Sequence, residues 1–109
     1  MDEEAKKKLV GKRGGHKAYA TKIVNEADKL CKELNPEHRP TLHAYLKTLS
    51  DRKEVIVALD DDILGLLSTD EMEQEVMTSG EYQTNLELAI FNITDALDRM
   101  KMEDGTEAK

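Results

Sequence analysis

Apolar residues recur at steps of three and four positions along nearly the whole chain, as they do on one face of an α-helix. The first such series spans about residues 5–34, the second about residues 41–67 and the third about residues 70–102. Gly14-Gly15 lies inside the first series and weakens a helix by about 1 kcal/mol per residue relative to alanine, which a long helix tolerates. The pattern therefore predicts three long helices over these ranges.

Two short segments separate the predicted helices. The only prolines, Pro36 and Pro40, lie between the first helix and the second. A residue that precedes proline is driven out of helical geometry, so Asn35 and Arg39 are expected to be non-helical. Pro40 suits the first position of the second helix, where a missing N–H would have no partner anyway. Before the third helix, Ser68-Thr-Asp-Glu71 matches a capping box.

Helix length decides the predicted architecture. Segments of roughly 27 and 33 residues form helices about 40 and 50 Å long, and such helices usually pack at shallow angles in bundles. The short link between the second and third helices forces an antiparallel hairpin, and the proline-containing link lets the first helix fold back against it. We predict an all-α fold in which three long helices form an antiparallel coiled-coil-like bundle. Residues 1–109 are expected to form a single domain with a disordered tail at about 103–109.

The inner face of the second and third helices carries most of the large apolar residues. Lys53 and Asp60 interrupt this series in the second helix, and Ser79-Gly80 marks a weak point in the third. A bundle with few aromatic residues has a thin core, which favours self-association through a remaining apolar stripe. The residues that we expect to line the core or an association surface are Leu46, Leu49, Ile56, Ile63, Leu86, Ile90, Ile93 and Leu97. The pattern alone does not separate core positions from interface positions.

Composition supports long exposed helices and adds a charge gradient. Charged residues make up 36% of the chain and aromatic residues 4%, a balance that suits exposed helices better than a thick core. The net charge of −7 is uneven, because residues 1–25 carry +4 and residues 51–109 carry −11. This asymmetry can steer a partner or order self-association head to tail, or it can belong to two solvated faces of opposite sign.

Candidate catalytic and metal-binding residues fall into no recognisable pattern. The three histidines lack the spacing that places two ligands on one helical face. Asp60-Asp61-Asp62 followed by Gly65 resembles part of an EF-hand loop, but Ile63 and its apolar neighbours stand where such a loop needs oxygen ligands. We expect no enzymatic activity, no metal site, no cofactor and no small-molecule ligand.

The sequence also bears on the cellular setting. Cys31 is the only cysteine and lies on the apolar face of the first helix, so it is expected to be a core residue in a reducing compartment. No apolar run approaches the ~20 residues that span a membrane, and the charged N-terminus lacks a signal-peptide pattern. We expect a cytoplasmic protein that makes no membrane contact.

Nucleic-acid binding is the alternative function that the charge pattern supports. Basic residues of the first helix could form a stripe that neutralises phosphates. The acidic second half of the chain argues against it, and such binding would be weak and salt-sensitive. The residues that would make these contacts are Lys6, Lys7, Lys8, Lys12, Arg13, Lys17 and Lys22. A protein partner, most simply a second copy of the chain, is the leading expectation.

A series of basic, apolar and acidic motifs extends over about residues 5–100. In chain order the motifs are Lys12-Arg13-Gly14, Tyr19, Thr21 and Ile23, a proline break, residues 59–64 (LDDDIL), Glu73-Gln-Glu75, Glu81-Tyr82, and then Leu86, Ile90, Ile93 and Ala96-Leu97. This order resembles the helical domain near the N-terminus of Gag-like polyproteins of Bel/Pao-type LTR retrotransposons.

The resemblance implies a structural protein of a retroelement, or a protein derived from one. Such a domain lies upstream of the capsid-like and protease regions, and a role in Gag assembly follows by analogy. The family supplies no catalytic residues to carry over. The acidic third helix of this chain is unlike the nucleic-acid-binding part of a Gag protein, which argues against RNA contact by this segment.

Overall fold

Three long helices make up almost all of the described chain. The computed structural model describes the backbone of residues 2–104 and the side chains of residues 3–101. Helix α1 spans Asp2–Glu33, α2 spans Arg39–Leu64 and α3 spans Thr69–Asp104, with a short 3₁₀ turn at Pro36–His38 before α2. No strand occurs within the described backbone. The prediction of an all-α fold built from three long helices is confirmed.

The end of α1 and the start of α2 follow local hydrogen bonding. Leu34 leaves the helix with φ of 51°, a left-handed conformation that costs a residue with a Cβ roughly 1–2 kcal/mol. Asn35 is extended, as Pro36 requires, and its side chain accepts a hydrogen bond from the Glu37 N–H at 3.0 Å. These two residues reverse the chain direction.

The prediction that Arg39 is non-helical is wrong. Its φ of −57° and ψ of −48° are helical although Pro40 follows it, and α2 begins at Arg39, so Pro40 is not the first helical residue. The reason is that the Arg39 N–H bonds to the Pro36 carbonyl, which continues the 3₁₀ turn directly into the helix. That hydrogen bond outweighs the crowding between proline and the residue before it.

Helix α2 ends at Leu64, three residues before the predicted Leu67. The N–H groups of Leu66 and Leu67 bond to carbonyls only three residues back, at 2.9 and 3.2 Å, so the helix tightens and stops. Helix α3 then begins at Thr69, directly after Ser68, which is the first residue of the predicted capping box. The Ser68 N–H donates to Glu71 Oε1 at 3.1 Å, and Ser68 Oγ donates to the same oxygen at 3.2 Å.

Both glycine-containing weak points lie inside uninterrupted helices. Helix α1 runs through Gly14-Gly15, as predicted, and α3 runs through Ser79-Gly80. Helix α3 also extends to Asp104, beyond the predicted end at 102. Of the tail predicted at about 103–109, residues 103 and 104 are helical and residues 105–109 lie outside the described residues.

The helices pack side by side into a rod of 61 × 20 × 20 Å. Helix α2 is antiparallel to α1, because Tyr45 bonds to Glu26 whereas Asp60 bonds to Arg13. The chain reverses again after α2, so α3 runs parallel to α1, and the Cys31 thiol faces the Asn92 carbonyl near the far end of the pair. This arrangement is the antiparallel bundle that the link lengths predict.

The core is one continuous cluster of buried side chains along the axis of the rod, and all three helices contribute to it. Helix α1 contributes mainly small residues, Ala20 and Ala27 with Ile23 between them, so it lies close to the other two helices. Six of the eight residues expected at a core or an association surface are buried, and Leu46 and Ile90 are half-buried against them. Those six are Leu49, Ile56, Ile63, Leu86, Ile93 and Leu97. Any association surface must therefore lie elsewhere on the rod.

The exposed glycines of α1 allow a test of helix propensity. A Cβ added at Gly14 or Gly15 would meet no atom within 4 Å. We expect Gly14→Ala and Gly15→Ala each to raise the free energy of unfolding by about 0.5–1 kcal/mol, because alanine loses less backbone entropy in a helix. Urea unfolding at low protein concentration measures the change, and an unchanged or lower midpoint would contradict a continuous α1.

Candidate functional site

A polar cluster joins all three helices in the half of the rod near the α2–α3 link. Arg13 Nη1 of α1 donates to Asp60 Oδ1 of α2 at 2.8 Å and also to Glu75 Oε2 of α3. The side chains of Arg13, Asp60 and Glu75 are only 12%, 8% and 17% exposed. One guanidinium is thus shared by two carboxylates from different helices, which leaves the group with one net negative charge.

Two neutral side chains complete the hydrogen bonding of the cluster. Ser79 Oγ donates to Glu75 Oε2 at 2.7 Å, and Gln83 Nε2 donates to Asp60 Oδ2 at 2.9 Å. No buried side-chain nitrogen or oxygen among the described residues lacks a hydrogen-bond partner. Because removing any member would leave a poorly solvated charge or dipole, the cluster holds the three helices at one relative height.

Contact between Arg13 and Glu75 shifts the pKa of both groups. Burial opposes ionisation of Glu75, but the hydrogen bonds from Arg13 and Ser79 and the positive charge of Arg13 hold its pKa below the usual value. Burial likewise opposes the charge on Arg13, and the bonds to Glu75 and Asp60 outweigh it and raise the Arg13 pKa. Both groups are therefore charged at neutral pH.

The seven basic residues of the nucleic-acid hypothesis fall into two sets, one that faces the bundle and one that is exposed. Arg13 points into the bundle, Lys6 Nζ lies 3.6 Å from Glu71 Oε2, and Lys17 Nζ lies 4.6 Å from the centre of the Tyr82 ring. The helical period places these three on the side of α1 that faces α3. The cations that are exposed instead are Lys7, Lys8, Lys12 and Lys22. The seven residues of the nucleic-acid hypothesis thus do not share one surface.

A groove of about 720 Å³ lies between α2 and α3 directly above the polar cluster. We call it the α2/α3 groove. Its walls are apolar at Val57, Leu64 and Val76, and Gly80 leaves it open on the α3 side because no side chain projects there. The remaining lining residues are Lys53, Glu54, Ala58 and Asp61, with Asp60, Glu75, Ser79 and Gln83 of the polar cluster.

The charge of this groove is predominantly negative. Glu54 and Asp61 are exposed at its edge, and two carboxylates of the polar cluster lie beneath them. Lys53 is its only basic lining residue, and its Nζ lies 2.8 Å from Glu87 Oε2. An apolar surface with the exposed carboxylates of Glu54 and Asp61 at its edge favours a partner that is amphipathic and basic.

The outward face of α3 carries a second exposed apolar surface, which continues from the groove. Met77, Leu88 and Phe91 are 59%, 55% and 65% exposed, and with Thr84 they form what we call the outer stripe of α3. A shallow depression that contains Met77 and Thr84 shares Val76 with the α2/α3 groove. Clusters of large exposed apolar residues mark interaction sites in soluble proteins.

The sequence contains a signal for the outer stripe of α3 and another for the polar cluster. Met77, Thr84 and Phe91 repeat every seven residues on the opposite side of α3 from the buried series, which is a second helical stripe. Asp60 interrupts the apolar series of α2, as Ser79 does in α3, and polar residues at inner positions indicate a buried polar layer. Only the three-dimensional structure identifies Arg13 as the cation of that layer.

Two of the three histidines make structural contacts, and the environment of the single cysteine makes it unreactive. His16 Nδ1 accepts a hydrogen bond from Arg52 Nη1 at 2.7 Å, and His38 Nε2 lies 3.3 Å from Glu33 Oε1. Burial and the nearby aspartates raise the pKa of Cys31, which makes it a poor nucleophile. Among the described side chains, no three His, Cys, Asp or Glu residues are grouped so as to hold a metal ion.

Comparison with known proteins gives no relative from which a function could be transferred. No protein-family model matches the chain, and neither the curated proteins nor the solved structures contain a significant match. Within residues 2–104, no helix combines the length and apolar character needed to cross a bilayer. The α2/α3 groove and the outer stripe of α3 are therefore the features on which a functional proposal can be based.

The polar cluster can be tested by removing its cation. We expect Arg13→Met to lower the free energy of unfolding by about 3 kcal/mol, because it leaves two poorly solvated carboxylates side by side without a counter-charge. The matched control is Lys12→Met at the exposed neighbouring position, where a change of less than about 0.5 kcal/mol is expected. Urea denaturation at pH 7 compares the two, and equal effects would mean that Arg13 behaves as a surface residue.

The lowered pKa of Glu75 predicts a pH dependence of stability. Because its pKa in the folded protein lies below the model value of 4.5, the stabilisation from Glu75 is complete above that value and is lost as the pH falls through the lower folded pKa. We expect Glu75→Gln to be less stable than the wild type at pH 7, and the difference to shrink as the pH falls below about 4.5.

Denaturant midpoints measured at several pH values test this expectation. Glu73→Gln, at an exposed position on the same helix, controls for the loss of a surface carboxylate. A difference between wild type and Glu75→Gln that stays constant down to acid pH would show that the charge of Glu75 does not contribute to folding.

Proposed function

We propose that this chain is a non-enzymatic helical domain that mediates protein–protein association, including self-association. We further propose that it acts in a Gag-like polyprotein of an LTR retrotransposon or in a protein derived from one. The observation that carries the association role is the pair of exposed apolar surfaces, the α2/α3 groove and the outer stripe of α3. The order of motifs from Lys12-Arg13-Gly14 to Ala96-Leu97 supports the polyprotein setting.

The size of the exposed surface is adequate for a specific contact. A stable interface buries about 800 Å² on each partner, and one long side of a rod of 61 × 20 Å offers an area of that order. Burying the exposed parts of Met77, Leu88 and Phe91 would contribute on the order of 1 kcal/mol each. Because association also costs translational and rotational entropy, each contact is expected to have moderate affinity. Several such contacts in one assembly would strengthen the overall association.

The form of the molecule also favours association over enclosure of a ligand. The interior is filled by side chains and by the saturated polar cluster, and the α2/α3 groove is open to solvent along its length. Its apolar walls at Val57 and Val76 suit the side of another helix, which is the shape that an elongated groove between two helices accepts. An assembly role therefore fits the surface better than a small-molecule role.

Nucleic-acid binding is the alternative, and one observation favours it. Lys7, Lys8, Lys12 and Lys22 are all exposed on α1 and could contact phosphates. Four lysines on one helix would give weak binding that falls steeply with salt. Loss of wild-type self-association after nuclease treatment would favour this alternative.

Self-association can be tested on the outer stripe of α3. Sedimentation velocity of the nuclease-treated wild type should show species larger than a monomer as the concentration rises from micromolar to millimolar. Phe91→Glu should weaken this association at least ten-fold, because it places a charge in an apolar contact. Thr94→Glu adds the same charge at an exposed position of α3 outside the stripe and should have little effect.

Circular dichroism should show unchanged helix content in both variants, because Phe91 is largely exposed in the single chain. A wild type that stays monomeric at every concentration would refute self-association. Equal weakening by the two variants would show that the outer stripe is not the contact.

A further inference from the structure

The outward face of α1 has a regular pattern that the fold of a single chain does not use. Starting at Lys8, every third or fourth residue is exposed, and the series contains only basic, small or neutral residues. We call this series the basic face of α1; its members are Lys8, Gly11, Gly15, Ala18, Lys22, Asn25 and Lys29. Its members are separated by alternating steps of three and four residues, which is the spacing of a helix face in a coiled-coil-like contact.

The two glycines of this face serve no purpose within the chain. A Cβ at Gly11 or Gly15 would meet no atom within 4 Å, and the backbone there is ordinary helix. Each glycine therefore weakens α1 by about 1 kcal/mol without any compensating contact in the single chain. Together with Ala18 they leave a shallow surface on which a neighbouring helix with large side chains can approach closely.

The outward surface of α3 has the complementary properties. It presents the large exposed side chains Met77, Leu88 and Phe91, whereas the basic face of α1 presents glycine and alanine between its lysines. It is bordered by exposed carboxylates of α3 and of the α2/α3 groove where α1 presents lysines. These carboxylates are Glu54, Asp61, Glu73, Glu81 and Asp98.

The same charges argue against pairing of α3 with α3 of another copy. An antiparallel contact centred on Thr84 would place Glu73 near Asp95 and Glu81 near Glu87, so that a carboxylate of each copy would approach the carboxylates of the Asp95–Arg99 and Glu87–Lys53 ion pairs of the other. Like charges at such distances are destabilising. Opposite charges meet only when the acidic surface contacts the basic face of α1.

One chain cannot make this contact with itself. Arg13 directs the inner side of α1 at Asp60 and Glu75, so the basic face points away from the α2/α3 groove. Both surfaces lie at the same height along the rod, because Arg13 and the floor of the groove are in contact. A second copy lying alongside can therefore present its basic face to this groove.

We propose that the basic face of α1 from one copy docks on the α2/α3 groove and the outer stripe of α3 of the next copy. This inference rests on the proposed self-association and specifies its geometry. The two contacting surfaces are different, so the contact is head-to-tail and leaves one free surface of each kind. Such contacts continue into rings or open filaments, whereas a two-fold contact stops at a dimer.

The test uses one variant for each surface. Lys8→Glu/Lys22→Glu disables the basic face, and Phe91→Glu disables the acidic surface. Sedimentation velocity on nuclease-treated protein should show each variant alone to associate at least ten-fold more weakly than the wild type. An equimolar mixture should form a dimer containing one copy of each variant and nothing larger, because each variant supplies the surface that the other lacks.

The matched control is Lys47→Glu/Lys101→Glu, which changes the net charge equally at exposed positions outside the two surfaces. It should associate like the wild type, and association of the wild type should weaken as salt is added. A second variant, Gly15→Leu, keeps the charge and favours helix, yet should block close approach and weaken association.

The outcomes separate the inference from the proposed function. If Lys8→Glu/Lys22→Glu associates like the wild type while Phe91→Glu does not, association is two-fold through α3; the head-to-tail inference then fails and the association function stands. Failure of the mixture to form a dimer also overturns the inference. If the wild type never associates, both the inference and the proposed self-association fail.

Discussion

The sharing of one guanidinium between two carboxylates constrains the whole bundle. Arg13, Asp60 and Glu75 come from different helices, and removing any one of them would leave a poorly solvated charge without its partner. Apolar packing between long helices tolerates sliding by one turn, because leucine and isoleucine recur on the same face. The polar cluster does not tolerate it, since a displaced helix would leave a charge without its partner. The register of the rod, and with it the position of the groove, therefore depends on this contact.

Much of the fold follows from the spacing of apolar residues, and the departures have local causes. The three helices and their antiparallel order follow from the three- and four-residue steps and from two short links. Arg39 is helical because its N–H continues a preceding turn, which a rule for residues before proline does not consider. The role of Asp60 was only half predictable: its interruption of the α2 series is visible in the sequence, but Arg13 lies 47 residues away and no local pattern connects the two.

The candidate surface was less accessible to sequence reasoning than the core. The large apolar residues of the regular series are expected to serve either core or association. The structure buries six of the eight and half-buries Leu46 and Ile90, because three helices suffice to cover one stripe on each. What is left for a partner is weaker and less regular, such as Met77 and Phe91 separated by Thr84. Such a stripe becomes noticeable only after the buried one is known. Helix α1 is an example, because its inner side packs in the core whereas its outer side is basic and has little apolar surface.

The 20 Å width of the rod has a consequence for how the protein can change over evolutionary time. In a bundle this narrow, each helix contributes one layer of core side chains. An enclosed pocket could form only by removing those side chains, which would remove the core itself. Lengthening is different, because inserting seven residues at matching heights in neighbouring helices adds another layer of the same kind. Proteins with this architecture are therefore expected to differ in helix length and in surface residues, whereas the diameter of the bundle stays constant.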